Sequence, residues 1–84
     1  MENKIVLVRD SVSGKGLDLA KELLDKGVKV MINGPEQEQI IEVMQTLSQK
    51  YNADLIYGVP GCVMSVTEYS QFYSNPQISE VVSA

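Results

Sequence analysis

Two glycines and two serines lie between an apolar run and an amphipathic segment near the start of the chain. They belong to the stretch RDSVSGKG at residues 9–16, which follows the run IVLV at residues 5–8. A helix N-terminus presents unpaired backbone N–H groups and the positive end of the helix dipole, so it suits a phosphate. The dinucleotide-binding fingerprint has three glycines, and Gly14 and Gly16 supply two of them. The same residues also fit a turn that only packs a helix against a sheet.

The segments around this turn predict an α/β fold. The continuous apolar run at 5–8 has the pattern of a strand buried on both faces, and residues 28–32 and 53–57 are predicted to form a second and a third strand. Between them, helices are predicted at 14–26 and from Pro35 to Asn52, with Glu36 and Glu38 in the first turn of the second. Their buried stripes are Leu17, Ala20, Leu23 and Leu24 in the first helix and Ile40, Met44, Leu47 and Tyr51 in the second. The order βαβαβ predicts a three-layer half-Rossmann fold with a short parallel sheet.

The last third of the chain is less regular. We predict one domain over residues 1–84, with a regular part at 1–57 and an irregular extension at 58–84. The glycines and proline of residues 58–62 predict a loop, and Ser65 with Glu68 fits a capping box that begins a short helix at 66–73. Asn75-Pro76 would end that helix. Residues 78–82 are predicted to form a short edge strand.

The segment from Lys4 to about Thr67 resembles the N-terminal part of the short-chain dehydrogenases/reductases. That family usually opens with a strand, the motif T-G-x-x-x-G-x-G, a helix that ends in glycine, and a second strand. Here KIVLV-RDSVSGKG-LDLAKELLDKG-VKVMING has the same layout and spacing, and the run VMINGPEQEQIIEVMQTLSQKYNADLIYGV is similar to the family's next strand, helix and strand. The resemblance covers about three quarters of this chain, but only the first third of a usual family member.

The resemblance implies a dinucleotide cofactor, NAD or NADP. By position it assigns five residues to the phosphate turn and one to the adenosine ribose: Ser11, Ser13, Gly14, Lys15, Gly16 and Asn33. In the family an Asp at the last position favours a free 2′-hydroxyl, and an Arg just beyond favours a 2′-phosphate. Asn33-Gly34-Pro35 has neither signature, so the choice of cofactor stays open.

The chain departs from the family in the residues of the turn and of catalysis. Arg9 and Asp10 replace the motif's Thr and first Gly, and the Asn-Asn-Ala-Gly segment is absent. The catalytic pair Tyr-x-x-x-Lys is also absent, since Tyr69 is followed by Tyr73 at that spacing and no lysine follows Lys50. That lysine helps to lower the tyrosine pKa for acid–base work. We therefore assign no catalytic residue and expect no hydride transfer by this chain alone.

Three functions remain open on these residues. The first is a small non-catalytic module that binds a dinucleotide or another phosphate-bearing ligand at the Gly14–Gly16 turn. The second is a structural or interaction protein that acts through self-association or through its aromatic C-terminal part, where Tyr69, Phe72 and Tyr73 lie. The third is part of a longer reductase whose second half is supplied elsewhere.

Other kinds of site are disfavoured by the residues present. Asp10 stands where response-regulator receiver domains hold Mg²⁺, but Tyr57-Gly58 replaces their phosphoacceptor Asp. The Gly-x-x-x-x-Gly-Lys-Ser/Thr spacing of a Walker loop is missing. Cys62 is a candidate nucleophile in type only, because the chain has no histidine to activate it. One cysteine and no histidine also predict no metal site.

Composition and charge set the expected surroundings. The net charge of −4 and the pI near 4.6 argue against a nucleic-acid partner. No run of 18 apolar residues predicts a membrane span, and residues 1–15 lack the pattern of a signal peptide. With a single cysteine, the expected location is the cytoplasm. All seven Lys and Arg residues lie within 4–50, whereas residues 55–84 carry only Glu68 and Glu80 as charged groups.

An open sheet edge predicts self-association. In the order 3-2-1 the far edge of the first strand has no partner, and such an edge is a template for pairing. Two solutions are expected: the segment Ile78–Val82 covers this edge, or two chains join edge to edge into a six-stranded sheet. We expect a homodimer by one of these routes.

Overall fold

A four-stranded parallel sheet forms the centre of the protein. The computed structural model describes residues 4–61, 63–73 and 76–83, and the strand order is β3-β2-β1-β4 with every neighbouring pair parallel. The predicted α/β, half-Rossmann fold is confirmed. Along the chain the elements are β1 (Ile5–Val8), α1 (Gly14–Asp25), β2 (Lys29–Gly34), α2 (Gln37–Ser48), a 3₁₀ turn (Ala53–Leu55), β3 (Ile56–Pro60), α3 (Val66–Phe72) and β4 (Glu80–Val82).

The two faces of the sheet bury separate apolar clusters. On one face α1 and α2 pack over alternate strand residues such as Val6, Val8 and Ile32. On the other face Leu7 and Met31 pack with Tyr69 of α3 and with the segment before β4. Because β1 alternates between the two clusters, all four of its residues are buried. This burial explains why its sequence is a continuous apolar run.

The C-terminal segment covers the far edge of β1. β4 pairs with β1 in parallel register, Val6 opposite Glu80 and Val8 opposite Val82. The ladder continues at both ends, where Ser79 N–H donates to the carbonyl of Ile5 at 2.7 Å and Arg9 N–H donates to the carbonyl of Val82 at 2.8 Å. Of the two arrangements predicted for this edge, the structure shows the one in which the C-terminal segment covers it. In this structure the far edge of β1 is therefore already paired within the chain.

The boundary between β2 and α2 lies later than predicted. β2 continues through Asn33 and Gly34, because both pair with β3. Glu36 is the N-cap of α2, and Pro35 lies outside the helix and not at its first position. The prediction that α2 starts at Pro35 was wrong, because it rested on the local preference of proline for the first helical position and did not include the pairing of β2 with β3.

β3 is also displaced from its predicted place. Residues 53–55 form a 3₁₀ turn, whose start is fixed by Asn52 Oδ1 accepting from the N–H of Asp54 at 2.9 Å. The strand then runs through Gly58 to Pro60, residues that had been predicted as a loop. A Cβ at Gly58 would lie 2.6 Å from Ile40 Cγ2 and 2.6 Å from Met44 Sδ, so glycine lets α2 pack closely on the sheet. Pro60 is tolerated because β3 is an edge strand.

The return from β3 to β4 crosses the second face of the sheet. The predicted capping box begins α3, with Ser65 Oγ accepting from the N–H of Glu68 at 3.1 Å. Tyr69 then donates its hydroxyl to the carbonyl of Pro76 at 2.6 Å, which ties the helix to the segment leading into β4. Cys62 lies outside the described residues. No helix in the described part of the chain is long and apolar enough to cross a membrane.

Candidate functional site

A cleft opens at the carboxyl ends of the strands. β1 has β2 on one side and β4 on the other, so the direction of the chain's crossovers reverses beside it. In open parallel sheets ligands bind at this reversal, just beyond the strand ends. The cleft has a volume of about 780 Å³. It is lined by Arg9, Asp10, Ser13, Gly14, Lys15, Gly16, Asn33, Gly34, Pro35, Gly61 and Ser83.

In the turn after β1, Asp10 adopts the left-handed backbone conformation at the position where the motif has its first glycine. Asp10 has φ +52°, and Gly14 has φ +63°. Aspartate is one of the few side chains that enter this region readily. The tight turn therefore forms without the first glycine of the motif.

Gly16 brings α1 against the end of β1. An added Cβ would overlap the backbone carbonyl oxygen of Asp10 and would lie 2.9 Å from its carbon. Only a glycine fits there, which is the packing role that the last glycine of the fingerprint has in dinucleotide-binding folds. Gly34, across the cleft, also allows a close approach, since a Cβ added there would lie 2.7 Å from Val12 Cγ1.

The first turn of α1 leaves three backbone donors without a partner among the described residues. The first helical hydrogen bond runs from Leu17 N–H to the carbonyl of Ser13 at 3.4 Å. Ser13 is the N-cap, but its hydroxyl makes no capping bond. The N–H groups of Gly14, Lys15 and Gly16 therefore remain available, and all three residues line the cleft. Such donors at the positive end of a helix dipole attract anions.

The charged side chains of the cleft are two cations and one carboxylate. Arg9 and Lys15 are the cations and Asp10 is the carboxylate. Within the described part of the chain, no ion pair or hydrogen bond engages the Asp10 carboxylate, which is exposed. It therefore does not occupy the amide donors of the turn.

Ser11 and Asn33 form a buried connection behind the turn. Ser11 is fully buried, and its Oγ accepts from the N–H of Asn33 at 3.0 Å. The Asn33 amide nitrogen donates to the carbonyls of Val59 at 3.0 Å and Gly61 at 2.9 Å. The sequence assigned both residues to ligand contact. The structure places Asn33 on the cleft wall and Ser11 behind it, so Ser11 fixes the ends of β1 and β2 relative to each other.

Several cleft residues were not assigned from the sequence. Gly61 and Ser83 follow β3 and β4, whose positions depend on long-range pairing, so no local pattern marks them as neighbours of the turn. Pro35 and Gly34 had been assigned to a helix start. Arg9 carried a detectable signal, because it directly follows the buried run of β1, where functional residues of parallel sheets concentrate.

Comparison with known proteins adds no family. No protein-family model matches the chain, and no curated protein matches it significantly in sequence. The resemblance to short-chain dehydrogenases/reductases therefore stays a prediction from the motif and its spacing.

Proposed function

We propose that this protein is a small Rossmann-like binding module whose cleft takes a nucleotide or another phosphate-bearing ligand. The observation that carries the proposal is the set of three N–H groups of Gly14, Lys15 and Gly16, which have no partner among the described residues and belong to residues that line the cleft beside β1. A phosphate there would accept hydrogen bonds from the backbone and gain from the helix dipole. The volume of about 780 Å³ is within the range of small-molecule sites.

Charge in the cleft favours a phosphate modestly. Arg9 and Lys15 outnumber the single carboxylate of Asp10 among the lining side chains. Asp10 opposes a close anion, but its side chain is exposed and therefore screened by solvent. Binding by the backbone, with Lys15 as a supporting charge, is the arrangement that these residues support best.

We propose binding and not catalysis as the role of this chain alone. The Tyr-x-x-x-Lys pair that the family resemblance requires is absent from the sequence. NAD or NADP is the ligand class that this resemblance implies. The chain would take part in hydride transfer only with a second polypeptide that supplied the catalytic pair.

Isothermal titration with NAD⁺, ADP and inorganic phosphate tests the proposal. We expect saturable binding of the two nucleotides. Lys15→Ala should weaken them roughly fivefold, since one partly exposed charge contact contributes about 1 kcal/mol. Lys26→Ala is the matched control, because Lys26 is the exposed C-cap of the same helix, and it should leave the affinity unchanged. Absence of binding at millimolar nucleotide would overturn the proposed function.

Self-association is a second candidate, favoured by the apolar surface around α3. Phe72 is 75% exposed, Met64 55% and Tyr73 39%. Phe72 and Tyr73 also line a cavity of about 210 Å³ at the same helix. Burying such a surface against a second copy would remove apolar area from water. Sedimentation at micromolar concentration should then show a dimer that Phe72→Ser dissociates, whereas a monomer at all concentrations would exclude this candidate.

A further inference from the structure

The side chains that line the cleft are small or polar. The described lining residues are four glycines, two serines, one proline, one asparagine and three charged residues. None of them is aromatic, and none is Val, Leu, Ile or Met. Proteins usually hold a nucleobase by stacking it on aromatic side chains or by enclosing it among apolar ones. The lining therefore suits the phosphate and the sugar of a nucleotide better than its base.

The apolar side chains nearest to the cleft are used by the core. Val8, Ile32 and Val59 lie near the carboxyl ends of β1, β2 and β3, and each is at most 3% exposed. They belong to the two apolar clusters that cover the faces of the sheet. Val63, which follows β3, is 6% exposed and belongs to the second cluster. These side chains therefore have no surface left for a ligand.

The aromatic rings of the chain lie outside the lining of the cleft. The sequence has four tyrosines and one phenylalanine. Tyr51 and Tyr57 pack against the two apolar clusters of the sheet, and Tyr69, Phe72 and Tyr73 line the separate cavity at α3. These five residues account for every aromatic ring of the protein. A base bound in the cleft would therefore have no ring to stack on.

The lining instead supplies partners for hydroxyl groups and for phosphate. Ser13 and Ser83 contribute hydroxyls, which both donate and accept, and the carboxylate of Asp10 accepts. Arg9 and Lys15 are the cations, and no ion pair within the described residues neutralises any of the three charges. A guanidinium can also stack on a base. A phosphate in the cleft competes for that group, however, because Arg9 is one of only two lining cations.

We infer that the cleft takes a small phosphorylated compound rich in hydroxyl groups, of the sugar phosphate class, and that a base attached to such a ligand adds no affinity. The inference rests on the proposed function and narrows it, since a nucleotide would bind through its phosphate and its ribose alone. The phosphate takes the N–H groups at the start of α1, and the sugar hydroxyls pair with the serines and the carboxylate of the lining. The dinucleotide that the family resemblance implies would gain nothing from its two bases.

Titration calorimetry of the unmodified protein with three ligands tests this inference. AMP carries adenine where ribose 5-phosphate has its anomeric hydroxyl, and inorganic phosphate lacks the sugar. We expect ribose 5-phosphate to bind at least about threefold more tightly than inorganic phosphate, and AMP to bind at most about threefold more tightly than ribose 5-phosphate. A stacked base would instead raise the affinity roughly tenfold or more. Lys15→Ala should weaken AMP and ribose 5-phosphate by the same factor, because they share the phosphate.

The outcomes separate the ligand class from the site itself. If AMP binds more than about threefold more tightly than ribose 5-phosphate, the base contributes and the inference is overturned. If ribose 5-phosphate has less than about a threefold advantage over inorganic phosphate, the hydroxyls do not contribute and the inference is again overturned. Both results leave phosphate binding at α1 intact. If none of the three ligands binds at millimolar concentration, the proposed function is overturned, and the inference with it.

Discussion

At the scale of single residues, the turn after β1 depends on two backbone positions with opposite requirements. Asp10 adopts a left-handed backbone that glycine would take without strain, whereas Gly16 has ordinary dihedrals but no room for a Cβ. At the position of Asp10, a residue other than glycine therefore carries only a small conformational cost. Gly16 cannot be replaced at so small a cost, because the atom that a Cβ would meet is a backbone carbonyl oxygen and not the end of a flexible side chain. The first and the last glycine positions of the motif are therefore not equivalent in this protein.

Alanine at Gly16 should destabilise the protein more than alanine at Gly27. Gly16→Ala forces α1 away from the Asp10 carbonyl, and we expect a loss of about 2–3 kcal/mol in the free energy of unfolding. Gly27 has φ +80° with open space around its Cβ position, so Gly27→Ala should cost only about 1 kcal/mol of backbone strain. Urea denaturation measures both. Equal losses would show that contact with Asp10 does not constrain Gly16.

At the scale of elements, two helices begin with a serine N-cap, but only one uses its hydroxyl. Ser65 Oγ accepts from Glu68 N–H, and Glu68 Oε1 accepts in return from Met64 N–H at 2.6 Å. α3 has seven residues, too few to be stable without such capping and packing. Ser13 makes no such bond at α1. This difference leaves the first N–H groups of α1 without a partner among the described residues, whereas at α3 the N–H of Glu68 is bonded within the protein.

Substituting the two serines should give different losses of stability. Ser65→Ala removes the cap of a short helix, and we expect a loss of about 1 kcal/mol. Ser13→Ala removes no capping bond and should stay within about 0.3 kcal/mol of the unmodified protein. Thermal and urea unfolding of both variants provide the measurement. A loss at Ser13 as large as that at Ser65 would mean that the Ser13 hydroxyl caps α1 in solution.

At the scale of the whole molecule, the two layers that cover the sheet are unequal. Two helices of 12 residues cover one face, and one helix of seven covers the other. Tyr69 anchors this thinner layer, since it is 2% exposed, stacks on Tyr73 at 5.0 Å between ring centroids and bonds to the Pro76 carbonyl. Burial raises the pKa of the Tyr69 phenol above its ordinary value of 10.0, with the neighbouring Tyr73 as a second cause.

This raised pKa predicts a loss of stability in alkali. Below pH 10 the phenol is protonated in both the folded and the unfolded chain. Above pH 10 the unfolded chain loses the proton first, so the folded state binds more protons and its stability falls as the pH rises. Urea denaturation between pH 8 and pH 11 should show this decline, and Tyr69→Phe should make it shallower. That variant should also be less stable at pH 8, because the Pro76 carbonyl loses its donor. An unchanged alkaline slope in Tyr69→Phe would exclude Tyr69 as the cause.

The sequence by itself determined the alternation of strands and helices, the parallel sheet and the glycine turn. These follow from side-chain periodicity and turn chemistry, which are properties of neighbouring residues. It misplaced the start of α2 and the end of β3, because pairing between Gly34 and Pro60 outweighed local preference for a helix start and a loop.

Only the tertiary structure decided what closes the sheet and what faces the cleft. The choice between covering the edge of β1 with β4 and leaving it for a second chain depends on hydrogen bonds between residues more than 70 positions apart, such as Ser79 and Ile5. The same holds for the side chain of Asn33, whose amide nitrogen donates to the carbonyls of Val59 and Gly61. Such contacts join distant parts of the chain, and no local pattern encodes them.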